Sequence, residues 1–256
     1  MFWNEQEKLW YWYDENKEFT QKGGTTWTWG IRYYTSKDLY NWDDRGLLIP
    51  PSEDLNEPLH PTYCIDRPHF QMICATLSDT YTEVTDEYSV HYDGLTPPLT
   101  REAPTYFERN GKKYLFTSGT SGYFPNKSDV CVFDDYHGEY RSLGDPHIGD
   151  RSETSFSSQI TSVIRLPGTD KYIACADRWM PQWYVKPMAK SIQSGMQRHF
   201  KDYKPDTSPK EITSVPGTLQ KHSENTCLSR YVWLPIEWEG EMPVIRWQKK
   251  WRITDL

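Results

Sequence analysis

Short runs of alternating apolar and polar residues dominate the chain, each closed by a polar turn, and this period of two predicts β-strands. Turns fall at Asn4-Glu5-Gln6-Glu7-Lys8, Arg109-Asn110-Gly111-Lys112-Lys113, Pro167-Gly168-Thr169-Asp170-Lys171 and Trp238-Glu239-Gly240-Glu241-Met242. An aromatic-rich strand follows each: Leu9-Trp10-Tyr11-Trp12-Tyr13, Tyr114-Leu115-Phe116, Tyr172-Ile173-Ala174 and Val244-Ile245-Arg246-Trp247. Asn110-Gly111 between apolar runs is the strongest hairpin signal in the chain, because both positions of a tight hairpin turn favour positive φ. Three further segments, 34–42, 75–82 and 132–140, read as strands that close such units. Helical spacing is confined to residues 185–200. Recurrence of hairpin plus closing strand is a repeat pattern, and radial repetition of small antiparallel sheets builds a β-propeller.

The spacing breaks at one place. Cys64-Ile65-Asp66-Arg67-Pro68-His69-Phe70 reads as the first strand of a unit, yet it runs directly into Gln71-Met72-Ile73-Cys74-Ala75-Thr76-Leu77, which reads as a late one. Five blades of roughly 55–65 residues need about 300 residues, and the chain has 256. The expectation is a single all-β domain over residues 1–256, an incomplete five-bladed propeller with a stretch lost near Phe70/Gln71.

Composition narrows the function. The net charge is −7 with no basic block, so the positive footprint that nucleic acid requires is missing. No apolar run reaches the roughly 18 residues of a membrane span. No secretory leader pattern opens the chain; the expectation is a cytoplasmic protein if the start is genuine and a secreted one if it is truncated. Cys64, Cys74, Cys131, Cys175 and Cys227 are scattered without a C-x-x-C pair, which argues against a disulfide framework or zinc cluster. Aromatics make up 15% of the chain, with 12 Trp and 18 Tyr. Their flat faces fill β cores, and they also stack on sugar rings.

Among the polar residues Glu102 stands out. It heads the strand Arg101-Glu102-Ala103-Pro104-Thr105-Tyr106-Phe107 and is followed by apolar residues. A carboxyl buried there holds its proton near neutrality and can act as a general acid. The competing reading is a structural glutamate paired with Arg101.

The runs REAPTYF, NGKKYLFTSGTSGYFPN, SSQITSVIRLPG, ACADRWMPQW and SRYVWLPIEWEG together resemble glycoside hydrolase family 43, in its exo-β-1,3-galactanase-like branch. The resemblance covers nearly the whole chain. It implies a five-bladed propeller with an axial sugar pocket, an oligo- or polysaccharide partner and inverting hydrolysis of a terminal glycosidic bond. By the same resemblance Glu102 is the acid, and Asp66 and Gln159 contact the substrate or the attacking water, without settling which activates it. Glu15, Arg67, Thr120, Asp177, Arg178, Trp179 and Glu224 are the implied sugar contacts. No cofactor is required; a structural Ca2+ at the propeller axis is allowed by the resemblance, although no loop spells a calcium site. The aspartate that tunes the acid in that branch falls in the apparent gap, and a ring-closing strand before Met1 is missing. A catalytically inactive glycan-binding propeller is therefore the alternative. Oligomeric state is not legible in the residues.

Overall fold

In the computed structural model the described residues are 2–16, 30–38, 41–50, 71–121, 124–179, 185–201 and 229–256. The chain divides into two compact units. One comprises Met1–His69, Ala75–Tyr88 and Lys204–Val215, the other Phe70–Cys74, Ser89–Tyr203 and Pro216–Leu256.

The first unit carries the antiparallel sheet β1 (Phe2–Asn4), β2 (Leu9–Glu15), β3 (Ile31–Ser36) and β4 (Asp43–Ile49), in that order. The Asn4 side chain accepts the amide protons of Gln6 and Glu7 and so closes the first turn. Tyr11 and Tyr33 stack at 6.2 Å across one face, while Trp12 meets Tyr34 at 5.4 Å. The aromatic alternation is thus used for cross-strand packing. A two-stranded ribbon, β5 (Met72–Leu77) and β6 (Val84–His91), has residues in both units.

The second unit holds two sheets. One is the meander β7 (Arg101–Arg109), β8 (Lys112–Gly119), β9 (Ser128–Phe133) and β10 (Arg141–Gly144). The other comprises β12 (Gln159–Arg165), β13 (Tyr172–Arg178), β14 (Arg230–Glu239) and β15 (Met242–Arg246), with the short β11 (His147–Ile148) parallel to β15 at its edge. Phe107, Tyr114, Phe116, Val130 and Val132 from the first sheet share one buried core with Ile160, Tyr172, Ala174, Ala176, Leu234 and Ile236 from the second. Fully burying a side chain of this size contributes roughly 1.5–3 kcal/mol, so this seam is the main source of the unit's stability. The helix α1 (Val185–His199) appears where the spacing predicts it. Its Gln193 amide donates to Asn126 Oδ1 at 3.1 Å and to the Glu153 carbonyl at 3.2 Å. Ser121, Ser128 and Ser155 extend this buried network, and a fully satisfied polar network rigidifies the loops it joins.

Two expectations change. The segments 34–42, 75–82 and 132–140 are strand ends followed by turns, and in the two sheets the closing strands come next, as β4 and β10. Their polar residues fold back on the backbone: Asp38 accepts from the Asn41 amide at 2.7 Å, Ser78 from Glu83 at 3.2 Å and Asp135 from His137 at 2.7 Å. Among the described residues no sheet closes on itself. The expected first strand at 64–70 lies outside the described residues. Cys131 and Cys175 are buried free thiols and Cys74 is a half-buried one. Among the described residues no helix is long and apolar enough to cross a membrane.

Candidate active site

Alternation alone places Glu102 on the wrong face. Thr105 and Phe107 face the core between the two sheets, so in a regular strand Ala103 would share that face and Glu102 would point the other way. The ladder between β7 and β8 instead pairs Thr105 with Phe116 and Glu102 with Ser118, leaving one extra residue on β7. Ala103 absorbs the irregularity with φ at +52°. This β-bulge turns Glu102 onto the face of Tyr114, Phe116 and Ser118. A second bulge, between Ile160 and Ser162, shapes the start of β12, where Gln159 sits opposite Asp177 of β13.

The two bulged strand starts meet. The Gln159 Nε2–H donates to Glu102 Oε1 at 3.0 Å. Burial pushes the Glu102 carboxyl above its ordinary value, and the Gln159 hydrogen bond, which favours the ionised form, opposes that rise without cancelling it. With Oε1 occupied as an acceptor, the proton of the acid form rests on Oε2, which takes no hydrogen bond among the described residues. The Arg101 alternative fails: its Nε donates to the Leu99 carbonyl at 2.9 Å, and its charge faces Asp129, Tyr92 and Asp145.

The loop before Gln159 is tied down by Asp150. Its carboxylate accepts the backbone amides of Ser152, Thr154 and Phe156 at 3.1, 2.9 and 2.9 Å. Burial works to raise the Asp150 pKa, but these hydrogen bonds and one from the Ser152 hydroxyl outweigh it and hold the carboxyl below its ordinary value. Ser155, Phe156 and Ser157 all adopt positive φ, at 53°, 58° and 60°. Three consecutive left-handed non-glycine residues are costly, and the bonds of Asp150 to the Phe156 amide, of Thr154 Oγ1 to the Ser157 amide and of the Ser155 hydroxyl to the Asn126 carbonyl hold them in place. The sequence reading missed this loop; the alternation Asp150-x-Ser152-x-Thr154, three turn-forming side chains in register, was its signal.

Of the other expected contacts, Thr120 is a brace: its hydroxyl donates to the Thr100 carbonyl at 3.2 Å and its amide to Pro98 at 3.0 Å, fixing the approach to β7. Asp177, Arg178 and Trp179 are half-buried at the end of β13. The Arg178 guanidinium carbon lies 5.4 Å from the centre of the Trp247 ring. The structure therefore brings Glu102, Gln159, Asp177 and Arg178 to neighbouring strand ends of one unit. Glu15 ends β2 in the other unit, where only its backbone is described. Asp66, Arg67 and Glu224 lie outside the described residues. A cavity of about 450 Å3 opens at the opposite end of β13 and β14, beside Tyr172, Ile236 and Trp238. There Arg109 grips Asp170 at 2.6 Å and lies 4.0 Å over Trp238, and Glu237 pairs with Arg246. Among the described residues no three His, Cys, Asp or Glu side chains gather as a metal site.

No protein-family model matches the chain, and no curated protein matches it. Solved structures do. A Glu-to-Gln variant of exo-β-1,3-galactanase from Phanerochaete chrysosporium, crystallised with β-1,3-galactotriose, superposes with a TM-score of 0.58 at 16% identity, over 95% of this chain and 46% of that one. A β-1,3-galactosidase of glycoside hydrolase family 43 (GH43) gives 0.50 at 18% identity, over 97% and 58%. A GH43 protein from a capybara gut metagenome gives 0.52 at 16% identity, over 94% and 40%. The fold is that of glycoside hydrolase family 43. At this identity the likeness carries the family 43 fold alone, and the chain spans about half the length of these structures.

Removing the Gln159 amide tests the electrostatics directly. Gln159→Leu withdraws a donor that stabilises the charged carboxylate, so the folded pKa of Glu102 is expected to rise further. The raised pKa already means that the native state holds this proton more tightly than the unfolded chain. The group's stabilising contribution is then full below the unfolded value near 4.5 and is lost as pH rises through the folded pKa. In Gln159→Leu that window is expected to extend upward, read from the Glu102 side-chain carbonyl by 13C NMR. An unchanged or downward-shifted titration would show that the contact does not act on the acid.

Proposed function

We propose that the chain is a glycoside hydrolase that removes terminal galactosyl units from the β-1,3-galactan side of a plant-type polysaccharide, on a five-bladed, incomplete propeller. The observation that carries this reading is the half-buried Glu102 carboxyl, its pKa raised, presented by a bulge at the start of β7 in a family 43 fold. The solved galactanase of that fold was crystallised with β-1,3-galactotriose, which supports the choice of sugar.

In the proposed reaction Glu102 Oε2 protonates the glycosidic oxygen as the bond to the anomeric carbon breaks. A water attacks from the opposite face of the ring and inverts the anomer. Inverting pairs stand roughly 6.5–9.5 Å apart to admit sugar and water. Gln159 touches Glu102 at 3.0 Å, so it belongs to the acid's side of the ring and positions the acid. The water-activating role falls to a second carboxylate on the opposite face of the ring. Asp177, Arg178 and Trp179 supply sugar contacts.

One observation favours the second reading, a glycan-binding propeller without turnover. Among the described residues, burial and Gln159 alone act on the Glu102 titration, and no second carboxylate tunes it. The two readings part in one experiment: β-1,3-galactobiose is supplied and the product anomer followed by 1H NMR. Release of α-galactose as the first-formed sugar is expected. Release of the β-anomer refutes inversion, and sugar binding without release selects the second reading.

A further inference from the structure

Arg178 has a half-buried guanidinium with nothing to hold. Among the described residues its Nε is buried with no hydrogen-bond partner, and no carboxylate pairs with the side chain. Among them burial alone depresses its pKa, with no charged group acting on it. Arginine stays protonated even so, leaving a desolvated cation without a counter-charge, which is a costly arrangement. Other arginines of the chain show what a structural role looks like: Arg109 grips Asp170 at 2.6 Å, and Arg32 meets Asp44 at 2.6 Å.

The surroundings fix the fork without neutralising it. Trp247 lies 5.4 Å from the guanidinium carbon, and a cation over an indole face is held in orientation. Trp247 packs on Phe156 at 5.6 Å, and Phe156 on His147 at 5.2 Å, so the wall is anchored in the loop that Asp150 ties down. Trp247 remains 47% exposed, which leaves flat apolar surface beside the fork. The cross-strand partner of Arg178 is Arg230. Arg178 stands one residue beyond the Asp177–Gln159 rung, and Gln159 bonds the acid Glu102.

We propose that Arg178 reads a carboxylate on the ligand, so that the glycan bound here contains an acidic sugar, a uronic acid, in or next to its neutral galactose chain. A planar fork of N–H groups matches two coplanar carboxylate oxygens bidentately, and the Trp247 surface offers the apolar wall on which a sugar ring stacks. This inference rests on the glycan reading above.

The test measures binding by calorimetry for three ligands: β-1,3-galactobiose, the same disaccharide capped with glucuronic acid, and its 6-sulfated form. Wild-type protein is expected to bind the uronic acid ligand at least about tenfold more tightly than the neutral one, as expected for a charge-assisted bidentate pair. That ratio is expected to collapse towards one in Arg178→Gln, to be only partly kept in Arg178→Lys, and to shrink as salt rises. Arg178→Met supplies the control for a structural role: removal of an uncompensated cation is expected to leave Tm unchanged or raise it by about 2–4 °C. A clear fall in Tm would mark Arg178 as scaffold and overturn the proposal. Equal wild-type affinity for neutral and uronic acid ligands overturns it while leaving the glycan reading in place. Preference for the sulfated ligand overturns the choice of a carboxylate. Failure of a folded protein to bind any of the three overturns both readings together.

Discussion

Glu102→Gln is expected to lower kcat on β-1,3-galactobiose by roughly 100- to 10,000-fold, the range typical of a lost general acid. The substitution is close to isosteric. Its side-chain oxygen can still accept the Gln159 amide proton, so KM is expected to stay nearly constant and kcat/KM to fall with kcat. The pH profile gives an independent signature. A general acid works only while protonated, so the wild-type rate falls as pH rises through the elevated Glu102 pKa, and that alkaline limb is expected to vanish in the variant. An aryl galactoside with an acidic phenol leaving group needs little protonation, so it is expected to recover most of the lost rate. If the variant and the wild type cleave galactobiose at equal rates, Glu102 is not the acid. If the aryl substrate is slowed as much as the disaccharide, the residue has some role other than proton donation.

The largest expected loss of stability is at Phe116. Its ring is 1% exposed, stacks on Phe107 at 5.3 Å and sits in the seam between the two sheets of the second unit. Phe116→Ala is expected to cost about 3–5 kcal/mol, transfer and cavity together. Against a total stability of about 5–15 kcal/mol this is a large fraction. The expected fall in Tm is on the order of 10 °C for a chain of this size. Phe116 also pairs with Thr105 one rung from Glu102, so the same variant is expected to loosen the acid's position and lower activity below the melting transition. Urea and thermal unfolding followed in parallel give the measurement. Tyr231, 79% exposed, is the control, with an expected effect of Tyr231→Ala within about 0.5 kcal/mol. A Phe116 loss no larger than that of Tyr231 would show that the seam does not carry the unit.

Much of the scaffold could be read from local chemistry. Asn110 and Gly111 occupy the positive-φ positions of the β7–β8 turn, at 52° and 75°, because those two residue types tolerate that conformation best. Gly168 and Gly240 do the same work in the β12–β13 and β14–β15 turns. The helix was visible in its spacing. Closing strands were misplaced because Asp38, Ser78 and Asp135 favour folding back on the backbone over extension. At the candidate site, chemistry singled out Glu102 in the sequence, but its face depends on how β7 pairs with β8, a register that no single strand encodes. The Gln159 contact joins positions 57 residues apart, and the bare fork of Arg178 is defined by what fails to approach it. Asp66, Arg67 and Glu224 stand outside the described residues.

Strand pairing counts residues two by two, so the extra position at Ala103 makes the facing of Glu102 hang on a single codon. Loss of one triplet between Glu102 and Thr105 would leave the hydrophobic seam in register and swing the acid to the opposite surface. Under the proposed hydrolase reading, a lineage could in this way shed the hydrolytic step while keeping its grip on sugars, and recover it by regaining that one codon.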